Sequence, residues 1–271
     1  MDEAAAEIIC LGAGTQSTAM SLMAAEGVIT PMPTAAIFAD TGWESAGIYA
    51  HIDWLETMLP FPLYRVEWRG WGPKPQGDIR TKAGAQEMPV FVDKPKGRRG
   101  ITSRHCTEHY KIVPIMRKSR ELIGAKPVGM PKKGLYVNHW LGISTDEVER
   151  MRDSRVQWVH KRYPLIDMGF SRDDCIDYFK ERFPGRELQR SACIGCPYHS
   201  NEEWERMKIY DPVSFADAVD FDHSMRNGKL QLAYKYPAYL HSDLIPLDKI
   251  DFNNPIRDSG FSAECEGMCG I

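Results

Sequence analysis

Apolar positions fall first in short unbroken runs and then in stripes. Ile8 to Leu11 is one such run, Thr34 to Ala39 a second and Leu63 to Trp68 a third. Runs of this length bounded by polar or turn residues predict buried strands. Between them, Ser17 to Glu26 and Ser45 to Met58 place apolar residues at helical spacing, with Ser45 as a cap. Strands that alternate with helices predict an α/β fold built on a parallel, doubly wound sheet. In such sheets ligands bind outside the carboxyl ends of the strands.

The alternation breaks between Gly70 and Arg104, where Gly, Pro, Lys and Arg dominate, as in Lys94-Pro95-Lys96-Gly97-Arg98-Arg99-Gly100. This segment reads as a long loop with a solvated charge run, or as a grip on substrate phosphate or RNA. Beyond it the pattern predicts a helix over Thr107 to Ile123, a strand over Leu135 to Ile143 and a helix capped by Ser171. A helix follows over Asn201 to Ile209, opened by a Ser200/Glu203 capping box, and another over Pro212 to Met225. The expected organisation is an α/β domain over 1–168 and a helical appendage over 169–271. The appendage would carry a Cys-x-x-Cys and a cysteine-containing tail.

Bulk composition narrows the classes. The chain has 271 residues, 43% hydrophobic and 26% charged, with a net charge of −3. That charge provides no global field for nucleic acid, so any such binding must use a local patch. No apolar run approaches the roughly 20 residues that span a bilayer, and the acidic start lacks a signal-peptide core. A cytoplasmic protein without membrane contact is expected. Its seven cysteines are then metal ligands or redox groups rather than a disulfide framework.

The first candidate chemistry follows the first strand. Gly12-Ala13-Gly14-Thr15-Gln16-Ser17 is a small-residue turn into a helix N-terminus, where free amides point at an anion. It lacks the Gly-Lys-Ser/Thr ending of a Walker A loop and the third Gly of the dinucleotide fingerprint. It resembles the Ser-Gly-Gly-x-Asp-Ser pyrophosphatase loop (PP-loop) of the adenine nucleotide α-hydrolase superfamily, with Gly12 and Gln16 replacing Ser and Asp. Three further segments are similar to the phosphoadenosine phosphosulfate (PAPS) reductase-like branch. Asp40-Thr41-Gly42-Trp43-Glu44 matches its Asp-Thr-Gly motif. Cys106 to Pro114 matches its Cys-x-x-x-x-Lys-x-x-Pro, and Gly142 to Arg150 its Gly-x-x-x-x-Glu segment with a later Arg. Cys193-Ile194-Gly195-Cys196 looks like the Cys-x-x-Cys of members that bind iron–sulfur clusters. Together these segments identify the chain as a member of the PAPS reductase-like, PP-loop ATP pyrophosphatase group over residues 8 to about 200.

The resemblance implies an ATP- and Mg²⁺-dependent transferase that adenylates an oxygen and replaces it with sulfur. The loop amides and Ser17 would hold a pyrophosphate. Asp40, beside Thr41 and Gly42, would meet Mg²⁺ or a ribose hydroxyl. Lys111 and Arg150 would meet phosphate or sulfate, and Asp146 and Glu147 would anchor those cations or bind a metal. The acceptor would be a nucleobase, either in a small molecule or in a nucleic acid, and a sulfur-donor protein is a possible partner. Cys106, Cys193 and Cys196 would hold a 4Fe-4S cluster with one iron free of protein ligands. Zinc remains open, as Cys₃His with His109, and His199 is a further candidate ligand. So do unliganded redox thiols. Cys10 and Cys175 read as core thiols.

Near the chain end, Glu264-Cys265-Glu266-Gly267-Met268-Cys269 suits thiol exchange or persulfide carriage. Cys265 also matches part of the Glu-Cys-Gly motif of PAPS reductases, which keeps such a reductase as an alternative. His105 stands where adenylylsulfate reductases carry a tandem Cys, which counts against that branch. A non-catalytic nucleotide- and zinc-binding module is the third reading. The tryptophans read as core, with Trp68 and Trp71 as possible base-stacking residues.

Overall fold

The computed structural model of the chain describes residues 4–69, 78–126 and 129–253. Five strands form one parallel sheet: β1 (Ala6–Leu11), β2 (Ala35–Asp40), β3 (Leu63–Glu67), β6 (Val137–Trp140) and β7 (Val159–Arg162). Their order is β3-β2-β1-β6-β7. The first connection, through α1 (Thr15–Ala25), and the second, through α2 (Ala46–Met58), carry the chain outward to β3. The chain then returns to the other side of β1, so the order reverses between β1 and β6. That reversal opens a crevice at the carboxyl edge.

Period-two alternation along the central strands explains why both faces are covered. Ile9, Leu11, Ala36 and Phe38 point to one core with α1, α2 and α6 (Arg172–Arg182). Ile8, Cys10, Ile37 and Ala39 point to the other, with Ile115 of α4 (Val113–Leu122). Cys10 and Cys175 are both buried, as expected of core thiols. Burial pushes the Cys10 thiol up to about 12.

The segment expected to be a loop over Gly70 to Arg104 contains regular elements among its described residues. It holds the short α3 (Lys82–Ala85) and an antiparallel hairpin, β4 (Phe91–Lys94) and β5 (Arg98–Ile101). The hairpin joins β8 (Ala238–Tyr239) in a second small sheet. The hairpin's sequence hid it because Val92 is its one buried side chain. The helix expected over Thr107 to Ile123 begins instead as a π-helical segment, Thr107–Ile112, before α4.

Short α5 (Pro164–Asp167) precedes α6, and α7 (Asn201–Tyr210) and α8 (Pro212–Asn227) follow. A third core gathers α7, α8, Tyr110, Val90 and Val92. Helix α6 lies on the appendage side of the division expected after residue 168, yet it packs on α1. No helix among the described residues is long and apolar enough to cross a membrane.

Candidate functional site

Two groups of residues meet the carboxyl edge of the sheet. The first surrounds the Gly12–Ser17 turn at the reversal between β1 and β6. Ala13 takes a φ of +60°, an uncommon conformation for a residue with a β-carbon. It turns the chain sharply enough for α1 to start at Thr15, with Gly14 as N-cap and no side chain capping the first turn. That leaves the first-turn amides for an anion. Gly142, just past β6, lies against this backbone. A β-carbon there would stand 2.7 Å from the Ser17 nitrogen and 2.9 Å from its Cα.

Side chains close the same crevice. Gln16 donates to Ser144 Oγ at 3.3 Å and to Glu147 Oε2 at 3.2 Å. The other Glu147 oxygen accepts from Arg150 at 2.5 Å. Gln16 Oε1 is buried and has no hydrogen-bond partner among the described residues. Arg172, at the start of α6, reaches Thr15 Oγ1 at 3.4 Å, and its backbone amide donates to Asp146 at 2.9 Å. Arg172 is a cation at the loop that sequence reasoning missed. Its only signal was its place directly after the Ser171 cap.

The second group forms around the Asp-Thr-Gly turn. Asp40 Oδ1 accepts from the Gly42 amide at 2.7 Å and from the Tyr49 hydroxyl at 2.9 Å. Burial and the Asp40 charge hold Tyr49 protonated by raising its pKa. Thr41 donates to Glu44 at 2.8 Å and lies 3.3 Å from the Cys193 sulfur. Cys193 in turn reaches Glu44 at 3.5 Å. The Cys-x-x-Cys turn is tied down by the Ile194 amide, which donates to the Trp43 carbonyl at 2.9 Å. Gly195 is required there, because a β-carbon would fall inside the Trp43 indole. Neither the Glu44 nor the Trp43 contact was legible from spacing.

Cys106, Cys193 and Cys196, distant in sequence, line one cleft with Thr41, Lys111 and Arg104. Lys111 therefore sits with the sulfurs, on the π-helical segment. Burial, and then the Glu44 carboxylate, push the Cys193 thiol well up, while Lys111 pulls it down. A cation that binds sulfur would release the proton that burial retains.

Three soft donors suit iron–sulfur or zinc. His109 faces Glu87 at 3.1 Å and stacks on Trp68. His199 bonds the Cys193 carbonyl at 3.0 Å. His109 is thus engaged with Glu87 and Trp68, while His199 uses one ring nitrogen on the backbone of the cysteine turn. Among the described residues no three His, Cys, Asp or Glu side chains group as the ligands of one ion do. Three thiolates are donors that either a cluster or, with a fourth ligand, zinc would accept. The cleft is narrow, about 30 Å³, and Arg104 is among the residues that line it.

Cys265, Cys269 and Trp71 lie outside the described residues. Trp68, a possible base-stacking residue, is buried. No protein-family model matches the chain, and no curated protein matches it.

Proposed function

We propose that this chain is a PP-loop ATP pyrophosphatase that activates a nucleobase carbonyl and replaces its oxygen with sulfur. One observation carries the reading: Thr41, one residue from Asp40, lines the same cleft as three cysteines drawn from two distant segments. The Asp-Thr-Gly turn that would meet the nucleotide and the cysteines that would handle sulfur thus share one sheet edge.

The first-turn amides of α1 would hold the β- and γ-phosphates, with Arg150 and Arg172 drawing off their charge. Asp40 uses Oδ1 for its hydrogen bonds, which leaves Oδ2 to meet Mg²⁺ or a ribose hydroxyl. The substrate oxygen attacks the α-phosphorus, the α–β bond breaks, and pyrophosphate leaves. A sulfide then attacks the activated carbon, and AMP departs with the original oxygen. Adenylation matters because a carbonyl oxygen leaves poorly and AMP leaves well. Lys111 would offset the negative charge of the thiolates at the cleft. A cluster held by Cys106, Cys193 and Cys196 would supply the sulfide there.

Anaerobic purification with iron, zinc and acid-labile sulfide assays tests the sulfur half. Brown protein is expected, bleached by Cys106→Ser, Cys193→Ser or Cys196→Ser and not by Cys10→Ala. Colourless protein with stoichiometric zinc overturns that half. ATP turnover tests the other half, with AMP and pyrophosphate expected. ADP and phosphate as products overturn it. A covalent adduct between PAPS and Cys265 or Cys269 would point to the reductase instead.

A further inference from the structure

The hairpin was absent from every motif that carried the functional reading. Within 93–99 it holds Lys94, Lys96, Arg98 and Arg99 against a single carboxylate, Asp93. The overall charge is −3, so this patch runs against the rest of the molecule. Register sharpens the point. Asp93 pairs with Arg99 on one face, a complementary pair. Lys94 pairs with Arg98 on the other, and like charges directly opposite destabilise a hairpin. Gly100 sits under the Lys94 amine, so any β-carbon there would displace it. A local conflict that the fold retains marks a functional surface, and an anion between Lys94 and Arg98 removes it.

The hairpin leaves from the sulfur cleft. Pro89 and Arg104 line that cleft, and β4 and β5 lie between them in the chain. At about 3.4 Å per residue, β4 extends on the order of 10 Å from Phe91 to Lys94 before the turn at 95–97, long enough to follow neighbouring backbone phosphates.

Trp68 and His109 stack at 5.3 Å with an 8° interplanar angle, and His109 and His105 stack at 6.2 Å and 23°. Glu87 fixes His109. His105, at the end of this column and next to Cys106, is exposed. An aromatic column ending in an exposed ring offers a stacking platform for a base.

We propose that the hairpin and His105 bind a single-stranded polynucleotide and that this strand presents the acceptor base to the cysteine cleft. The second half of the statement rests on the sulfur-transfer reading. Cations along a backbone track combined with an aromatic platform are what single-strand binding requires. A duplex hides the base faces that His105 would stack.

The test uses the full chain and fluorescence anisotropy with labelled mixed-sequence RNA and DNA strands of about 16 nucleotides, the upper site size of a single-strand-binding fold. A matching duplex is run beside them. Both single strands should bind more tightly than the duplex, and the tighter of the two identifies RNA or DNA. Lys96→Glu/Arg98→Glu should weaken binding at least tenfold and flatten the salt dependence by about 1.4, two contacts at about 0.7 each. His105→Ala should weaken binding about tenfold with an unchanged salt slope, and His105→Phe should restore it. Absent binding, a duplex preference, or indifference to the hairpin variant overturns the proposal. ATP turnover is read separately. Intact strand binding with no AMP release overturns the sulfur-transfer reading and leaves the surface standing.

Discussion

One absent methyl group governs the crevice at Gly142. The atoms a β-carbon would meet are the backbone N and Cα of Ser17, which cannot rotate away as a side chain can. Gly142→Ala should therefore push α1 from the turn, cost about 1–3 kcal/mol in denaturant unfolding, and weaken ATP binding by calorimetry. Unchanged ATP affinity would show that the turn does not meet the nucleotide. The glycine itself was visible in the sequence, as was Ser17, but their contact joins the first turn of α1 to the segment after β6, which are far apart in the chain. Gln16 shows the same limit. The sequence marks it only as a departure from the PP-loop pattern, whereas in the fold its amide links α1 to Glu147, whose other oxygen accepts from Arg150.

Elements were legible in proportion to how strongly burial patterned them. β1 and β2 are nearly all buried, so unbroken apolar runs announced them. β7 went unread because only Val159 of its four residues is buried. Capping chemistry was equally legible. Ser171 and Ser200 each form the reciprocal box with Asp174 and Glu203. Ser171→Ala should cost about 1 kcal/mol by thermal or denaturant unfolding. It should also weaken ATP binding, because Arg172 stands at the frayed end and reaches Thr15. Ser200→Ala should cost a similar amount and leave ATP affinity alone. Equal effects of the two variants on ATP would remove Arg172 from the site.

The whole molecule carries buried histidines on both faces of its sheet. His51 bonds Thr18 at 2.9 Å and His139 bonds Ser119 at 2.9 Å. Burial, helped by Arg186, lowers His51 to about 4, and burial, helped by Lys161, lowers His139 to about 3. Unfolded, each takes up a proton near 6.5. Below that pH the unfolded chain binds more protons than the folded one, so stability falls as pH falls. The loss approaches about 1.4 kcal/mol per pH unit for each histidine and levels off once the folded pKa is passed. Denaturant midpoints should drop between about pH 6.5 and 4, and His139→Gln should flatten the drop. A midpoint indifferent to pH across that window would refute the assignment.

Trp43 gives the molecule an optical consequence. Its indole is held by Asp217 at 2.6 Å and presses on the glycine between two of the three cleft sulfurs. A coloured group seated on those sulfurs would accept energy from the excited indole. Loading should dim the protein's intrinsic fluorescence, and Trp43→Phe should remove much of that change. The ring that forces a glycine into the cysteine turn would then also report, by light alone, whether the turn is occupied.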